Sequence, residues 1–102
     1  MADTITGHIL TQTEAFNALK ISSVDEYPNL DMVLSGVDDQ IKSETGFDWA
    51  ALTADYAAID PTAKLCAAIL LICLTEGSEI PKTYGYKIIQ LANKVKGASG
   101  SG

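Results

Sequence analysis

Apolar and polar positions divide the chain into segments of different helical character, and the most distinctive is a run of ten apolar residues from Leu65 to Leu74. It follows Asp60 and Pro61, a capping residue and a first-turn proline that together favour the start of a helix. A helix that is apolar on every side must be surrounded by other elements. A membrane span needs about 18 apolar residues or more, so this run is too short to be one. The pattern therefore predicts a central buried helix over residues 61–76.

Two amphipathic helices are predicted before this central helix. Thr11 opens a Thr-x-x-Glu capping box, which predicts a short first helix ending near residue 20. Ser23 opens a second box of the same form, with Pro28 tolerated in the first turn, and Gly46 is suited to closing this second helix. Apolar residues follow one stripe of the second helix at spacings of three or four: Leu30, Val33, Leu34, Val37 and Ile41.

Two further helical segments and two flexible ends complete the prediction. Asp48 is placed to cap a short helical stretch that reaches Tyr56. Apolar residues at spacings of four, three and four predict a last amphipathic helix from Tyr84 to Val95. Residues 1–10 are expected to be a flexible N-terminal lead, and residues 97–102 a flexible Gly/Ser tail. The expected fold is all-α: a single domain over residues 11–96, built as a small bundle of four to five helices around the central buried helix.

Charge is divided unevenly along the chain. Residues 1–60 carry two lysines and eleven acidic residues, 2 − 11 = −9, whereas residues 61–102 carry five lysines and two acidic residues, 5 − 2 = +3. Such a layout suits head-to-tail association between copies, although a solvated surface explains it equally well. All seven basic residues are lysines, so the chain lacks the arginine fork that reads bases and phosphates. Sequence-specific DNA recognition is therefore not expected.

Residues with catalytic or metal-binding chemistry are few. Cys66 and Cys73 lie seven positions apart on the predicted central helix, about 10 Å along its axis, which is too far for a disulfide. The only histidine, His8, lies in the N-terminal lead, far from both thiols in sequence. We therefore expect buried free thiols, no metal, no cofactor and no enzymatic activity. Together with the absence of an export-signal pattern after Met1, buried thiols favour the cytosol.

The order of these segments resembles the phage head-tail connector (adaptor) family. That family has a Thr-x-Glu-Glu-Ala-like opening, a Leu-x-Ile-Asp segment, an acidic start to the second helix, an Ile-Glu-x-Thr-Gly closure, a proline-led apolar helix and a final helix. The corresponding segments here are Thr13–Ala15, Leu19–Ile21, Val24–Glu26, Ile41–Gly46, Pro61–Leu74 and Tyr84–Val95. Two departures concern the portal-contacting surface: a sequence running from Leu74 to Gly77 replaces a tyrosine-rich, basic end, and the last helix lacks the usual arginines.

The resemblance implies a structural virion protein that forms a homo-oligomeric ring between the portal protein and the tail or stopper proteins. DNA would pass through this ring without specific binding, and no membrane is involved. The protein would reside in the virion, and in the cytoplasm of the bacterial host during assembly, with phage or prophage origin. The alternative is a small helical regulatory, DNA-binding or inhibitor protein from the same kind of genome.

Two groups of residues are candidates for these contacts. An acidic face lining the channel would repel the phosphates of the passing DNA. Its candidate residues are Asp31, Asp38 and Asp39. The last helix would contact the portal or a neighbouring subunit through Tyr84, Tyr86, Lys87, Lys94 and Lys96.

Overall fold

Four α-helices and two short 3-10 helices form the part of the chain described in a computed structural model, residues 5–52 and 59–100. The α-helices are α1 (Gln12–Leu19), α2 (Leu30–Thr45), α3 (Pro61–Glu76) and α4 (Lys82–Gly100). The 3-10 helices are Val24–Glu26 and Trp49–Leu52. These residues include no strand, and the predicted all-α bundle is confirmed. Tyr56, predicted to end a helical stretch, lies outside the described residues.

The predicted central helix is confirmed as α3, which contacts α1, α2 and α4. Its buried residues are Ala63, Cys66, Ala67, Leu70, Leu71 and Cys73. The expectation that it is surrounded on every side is wrong, because Leu65 is 43% exposed and Leu74 is 51% exposed. Three neighbouring helices cover one side and the flanks of α3. Its remaining side faces outward despite being apolar.

Local signals at the helix ends agree with the sequence patterns. Thr11 and Glu14 form the predicted capping box, in which each side chain accepts a hydrogen bond from the other residue's backbone N–H. Asp60 caps α3 by accepting a backbone N–H two residues further on, with proline at the first helical position. Gly46 and Gly77 end α2 and α3 in the left-handed conformation, at φ 77° and 69°.

The start of the second helix differs from the prediction. Ser23 and Glu26 do form a capping box, but this box opens the 3-10 helix Val24–Glu26 and not α2. The chain then passes through Tyr27, at φ −148° and ψ 79°, and α2 begins only at Leu30. The residue before a proline is pushed away from helical backbone angles, so Pro28 separates the two helices.

The N-terminal segment differs from the expected flexible lead, whereas the flexibility expected of residues 97–102 stays a prediction. Residues 5–10 are not a loose lead, because Ile5, Ile9 and Leu10 are buried in the same core as α2 and α3. Burying these three apolar side chains removes their surface from water, which favours the packed segment. At the other end α4 continues to Gly100, so the expected tail is helical up to that residue. Residues 101 and 102 lie outside the described part.

Polar contacts fix two further points of the bundle. The Lys64 ammonium donates to both carboxylate oxygens of Glu14, at 3.0 and 3.2 Å, and so ties α3 to α1. Partial burial opposes ionisation of Glu14, but the N–H of Thr11 and the Lys64 ammonium outweigh it and lower the pKa of that carboxyl. The indole N–H of Trp49 donates to the Thr45 hydroxyl at 3.1 Å, which anchors the second 3-10 helix to the end of α2.

Candidate functional site

The outer face of α2 is polar and acidic. Met32, Gly36, Asp39 and Ser43 recur at intervals of four, three and four residues, and all four are exposed. This periodicity places them on one side of the helix, opposite the buried stripe. Asp31 is exposed at the edge of the same face. Asp39, with Asp31 at the edge, makes this surface of α2 negative, Met32 is its one large apolar side chain, and the exposed Lys42 beside it offsets part of the charge.

The outer face of α4 has a different chemistry. Lys82, Tyr86, Ile89 and Asn93 recur at the same intervals and are exposed. Tyr86 is 68% exposed and Ile89 is 58% exposed, and they lie about one helical turn apart. The outer face of α4 therefore carries a pair of adjacent, exposed, largely apolar side chains with one lysine beside them.

The structure separates the three predicted channel residues. Asp31 and Asp39 are exposed on α2, as a channel lining requires. Asp38 is buried and cannot line a channel, so its assignment is wrong. It follows Val37 at the edge of the buried stripe, and the helical turn directs it towards the N-terminal segment and not towards solvent.

The predicted interface residues are also divided by the structure. Tyr84 is buried, its hydroxyl donates to Glu44, and burial together with that carboxylate raises the pKa of its phenol. Its assignment to an interface is therefore wrong, because Tyr84 belongs to the apolar stripe of α4 that faces the core. Tyr86 is exposed as an interface requires.

The lysines of α4 occupy three different environments. Lys87 is half-buried. Lys94 is exposed but donates to the Asp60 carboxylate at 2.9 Å, which ties α4 to the start of α3. Lys96 lies in α4, and its side chain falls outside the described part of the structure. The charge of Lys94 is therefore already used within the subunit.

A cluster missed by the sequence reasoning is formed by His8, Asp31 and Asp38, hereafter the His8 cluster. His8 is 6% exposed, its Nδ1 lies 2.6 Å from Asp38 Oδ2, and its Nε2 lies 2.6 Å from Asp31 Oδ1. The second oxygen of Asp38 accepts the Ile9 N–H at 3.1 Å. The signal available in the sequence was the presence of three apolar residues in this segment, Ile5, Ile9 and Leu10, which pack against the core.

Electrostatics in the His8 cluster favour retention of a proton. Burial alone lowers the pKa of His8, but hydrogen bonds to Asp31 and Asp38 and their negative charges outweigh it, so the pKa lies above the ordinary 6.5. Burial raises the pKa of Asp38, and the hydrogen bonds from His8 and Ile9 offset only part of that effect. Both shifts stabilise the protonated form of a group in the cluster.

A cleft of about 380 Å³ opens between the end of α1 and the end of α3. Its lining residues are Ala18, Leu19, Lys20, Ile21, Tyr27, Ile72, Thr75 and Glu76. Apolar side chains predominate, and the charged groups are one lysine and one glutamate. Their opposite charges give the cleft no net preference for an anionic or a cationic ligand.

The two thiols are buried, as predicted, and unpaired with each other. Burial raises the pKa of Cys66 to about 11, which keeps it protonated and unreactive near neutral pH. Within residues 5–52 and 59–100, no group of three or more His, Cys, Asp or Glu side chains is arranged to hold a metal ion. None of the helices in these ranges combines the length and apolar character needed to span a bilayer.

Comparisons with known proteins add no family to this description. No protein-family model matches the chain, and neither a curated protein nor a solved structure matches it.

Proposed function

We propose that the chain is a structural subunit of a phage particle, a head-tail connector that assembles as a ring between the portal and the tail or stopper proteins. The observation that supports this most is the contrast between its outer faces: α2 is acidic, whereas α4 is apolar and basic. Two chemically different faces allow one face to line a channel while the other contacts the portal or a neighbouring subunit, and head-to-tail contacts of this kind close into a ring when the rotation between neighbours fits.

The acidic face is the proposed lining of the DNA channel. Asp39 is exposed there, whereas Asp31, although most of its side chain is exposed, shares its charge with His8. Repeated around a ring, the Asp39 carboxylates would therefore supply most of the negative charge around the channel. DNA phosphates are repelled by such a surface, so the DNA passes without adhering.

The outer face of α4 is the proposed contact with the portal or with a neighbouring subunit. Tyr86 and Ile89 supply apolar area, and Lys82 supplies positive charge beside them. A single contact of this size is weak, but a ring makes many copies of it at once, which raises the total affinity. Assembly on the portal then needs no extensive interface in any one subunit.

Deleting the gene from the phage or prophage that encodes the chain tests this function. We expect DNA-filled heads and separate tails to accumulate, because the joint between them is missing. A supplied copy of the gene should restore joined particles, and the chain should be found in them by mass spectrometry. Normal particles in the deletion strain, or purified particles without the chain, would contradict the proposal.

Point variants test the assigned contact surface in the same complementation assay. The double variant Tyr86→Ser with Ile89→Ser should fold but restore few joined particles. Leu65→Ser is the control, because Leu65 is also a large exposed apolar residue but lies near the start of α3, away from the α4 face and from the Leu74–Gly77 segment. Equal complementation by both variants would remove the α4 face from the proposal while leaving the deletion result standing.

A further inference from the structure

The His8 cluster contains two short nitrogen–oxygen contacts and therefore needs two protons to make both of them hydrogen bonds. A neutral histidine between two ionised carboxylates supplies only one. Both ring nitrogens of His8 lie 2.6 Å from carboxylate oxygens. A neutral imidazole has one N–H donor, and an ionised carboxylate has none. Both short contacts are hydrogen bonds only when an additional proton is present, either on the ring or on a carboxylate. The three side chains together therefore hold two protons, whichever of them carries the second one.

The contacts of this cluster fasten residues 5–10 to α2. In the part of the chain that the structure describes, the hydrogen bonds from this segment to α2 end on Asp31 and Asp38. The segment also contributes Ile5, Ile9 and Leu10 to the core. Its remaining polar anchor is the Ile5 N–H, which donates to the Gln12 amide oxygen of α1 at 3.0 Å.

We propose that the His8 cluster is a proton-operated fastener, which holds residues 5–10 on α2 while the additional proton is bound and releases them when it leaves. This inference does not depend on the proposed function. Loss of the proton leaves a ring nitrogen and a carboxylate oxygen facing each other as two acceptors at 2.6 Å. The segment then opens more often, and the apolar surface beneath Ile9 is uncovered.

The direction of the pH response follows from the groups that face His8. Asp31 and Asp38 face it from α2, and Asp39 lies beside Asp38. The side chain of α1 that contacts this segment is the uncharged Gln12, which accepts from the Ile5 N–H. A raised histidine pKa stabilises the closed segment below the unfolded value of 6.5, and this stabilisation is lost as the pH rises through the folded value.

Nuclear magnetic resonance on the intact chain tests the fastener directly. His8 is the only histidine, so its ring signals give one unambiguous titration. We expect a midpoint above 6.5, and a fall of about tenfold or more in the hydrogen-exchange protection factor of the Ile9 amide across that transition. The protection factor of the Leu70 amide, in the core of α3, should not follow the transition. A His8 midpoint at or below 6.5, or Ile9 protection without a step, would overturn the proposal.

Variants separate the hydrogen bonds of the cluster from its general charge. Asp31→Asn should lower the His8 midpoint markedly, whereas Asp39→Asn removes the same charge from α2 without a bond to His8 and should lower it less. His8→Gln should abolish the step in Ile9 protection. Equal midpoint shifts in the two aspartate variants, or a step that persists in His8→Gln, would show that the cluster is not the fastener.

Discussion

Replacing Asp60 by alanine should destabilise the bundle through two separate contacts. One carboxylate oxygen accepts the Thr62 N–H at 2.8 Å and caps α3, and the other accepts from the Lys94 ammonium at 2.9 Å. Loss of a capping side chain costs about 1 kcal/mol. An ion pair with an exposed lysine contributes about 0.5 kcal/mol. We therefore expect Asp60→Ala to lower the free energy of unfolding by about 1.5 kcal/mol, or the melting temperature by about 6–12 °C.

Two companion variants separate the cap from the ion pair. Lys94→Ala removes only the ion pair and should cost about 0.5 kcal/mol. Asp60→Asn keeps a capping oxygen but removes the charge, so its cost should be close to that of Lys94→Ala. High salt should reduce the cost of Lys94→Ala, because screening weakens exposed ion pairs, and should leave most of the difference between Asp60→Ala and Asp60→Asn.

Urea unfolding followed by far-ultraviolet circular dichroism measures these free energies. Partial burial raises the pKa of Asp60, but Lys94 and the Thr62 N–H outweigh it and lower it below the ordinary 3.8. The stabilisation is therefore present above pH 3.8 and is lost as the pH falls through the lower folded value. Equal costs for Asp60→Ala and Lys94→Ala at pH 7 would refute the capping argument. A zero coupling energy in the double variant would refute the ion pair.

Two further predictions concern the core. Leu70→Ala should lower the free energy of unfolding by about 2–5 kcal/mol because Leu70 is fully buried, whereas Leu74→Ala, at an exposed position on the same helix, should cost about 0.5 kcal/mol. Similar urea midpoints for the two variants would contradict the orientation of α3. Thr45→Val should cost about 1–3 kcal/mol because it leaves the buried Trp49 N–H without its acceptor, while Thr45→Ser keeps the hydroxyl. Indole fluorescence during unfolding gives the comparison, and a Thr45→Val stability equal to that of Thr45→Ser would contradict it.

Local signals predicted the helix limits well where the chain itself supplies the capping groups. The Thr11 capping box, the Asp60–Pro61 start and the left-handed closure at Gly46 depend on residues within one helical turn. The start of α2 was predicted wrongly, although its cause is also local. The capping pattern at Ser23 opens only a short 3-10 helix, because Pro28 keeps Tyr27 out of the helical conformation.

The candidate sites were less predictable because they depend on contacts between distant residues. His8 and Asp38 are 30 positions apart, and no local pattern relates them. Asp38 and Asp39 are the same amino acid at neighbouring positions. The turn of the helix between them places Asp38 against the N-terminal segment and Asp39 in solvent. In the same way, Tyr84 and Tyr86 are two positions apart, so one faces the core and the other faces outward.

The most direct measurement of the proposed role is an electron cryo-microscopy reconstruction of the neck of the particle that contains this chain. We predict a ring of these bundles between the portal and the tail, with Asp39 facing the channel and Tyr86 covered by the portal or by the next subunit. A neck without this chain, or a ring in which the outer face of α4 lies in solvent and the acidic face lies away from the channel, would contradict the account.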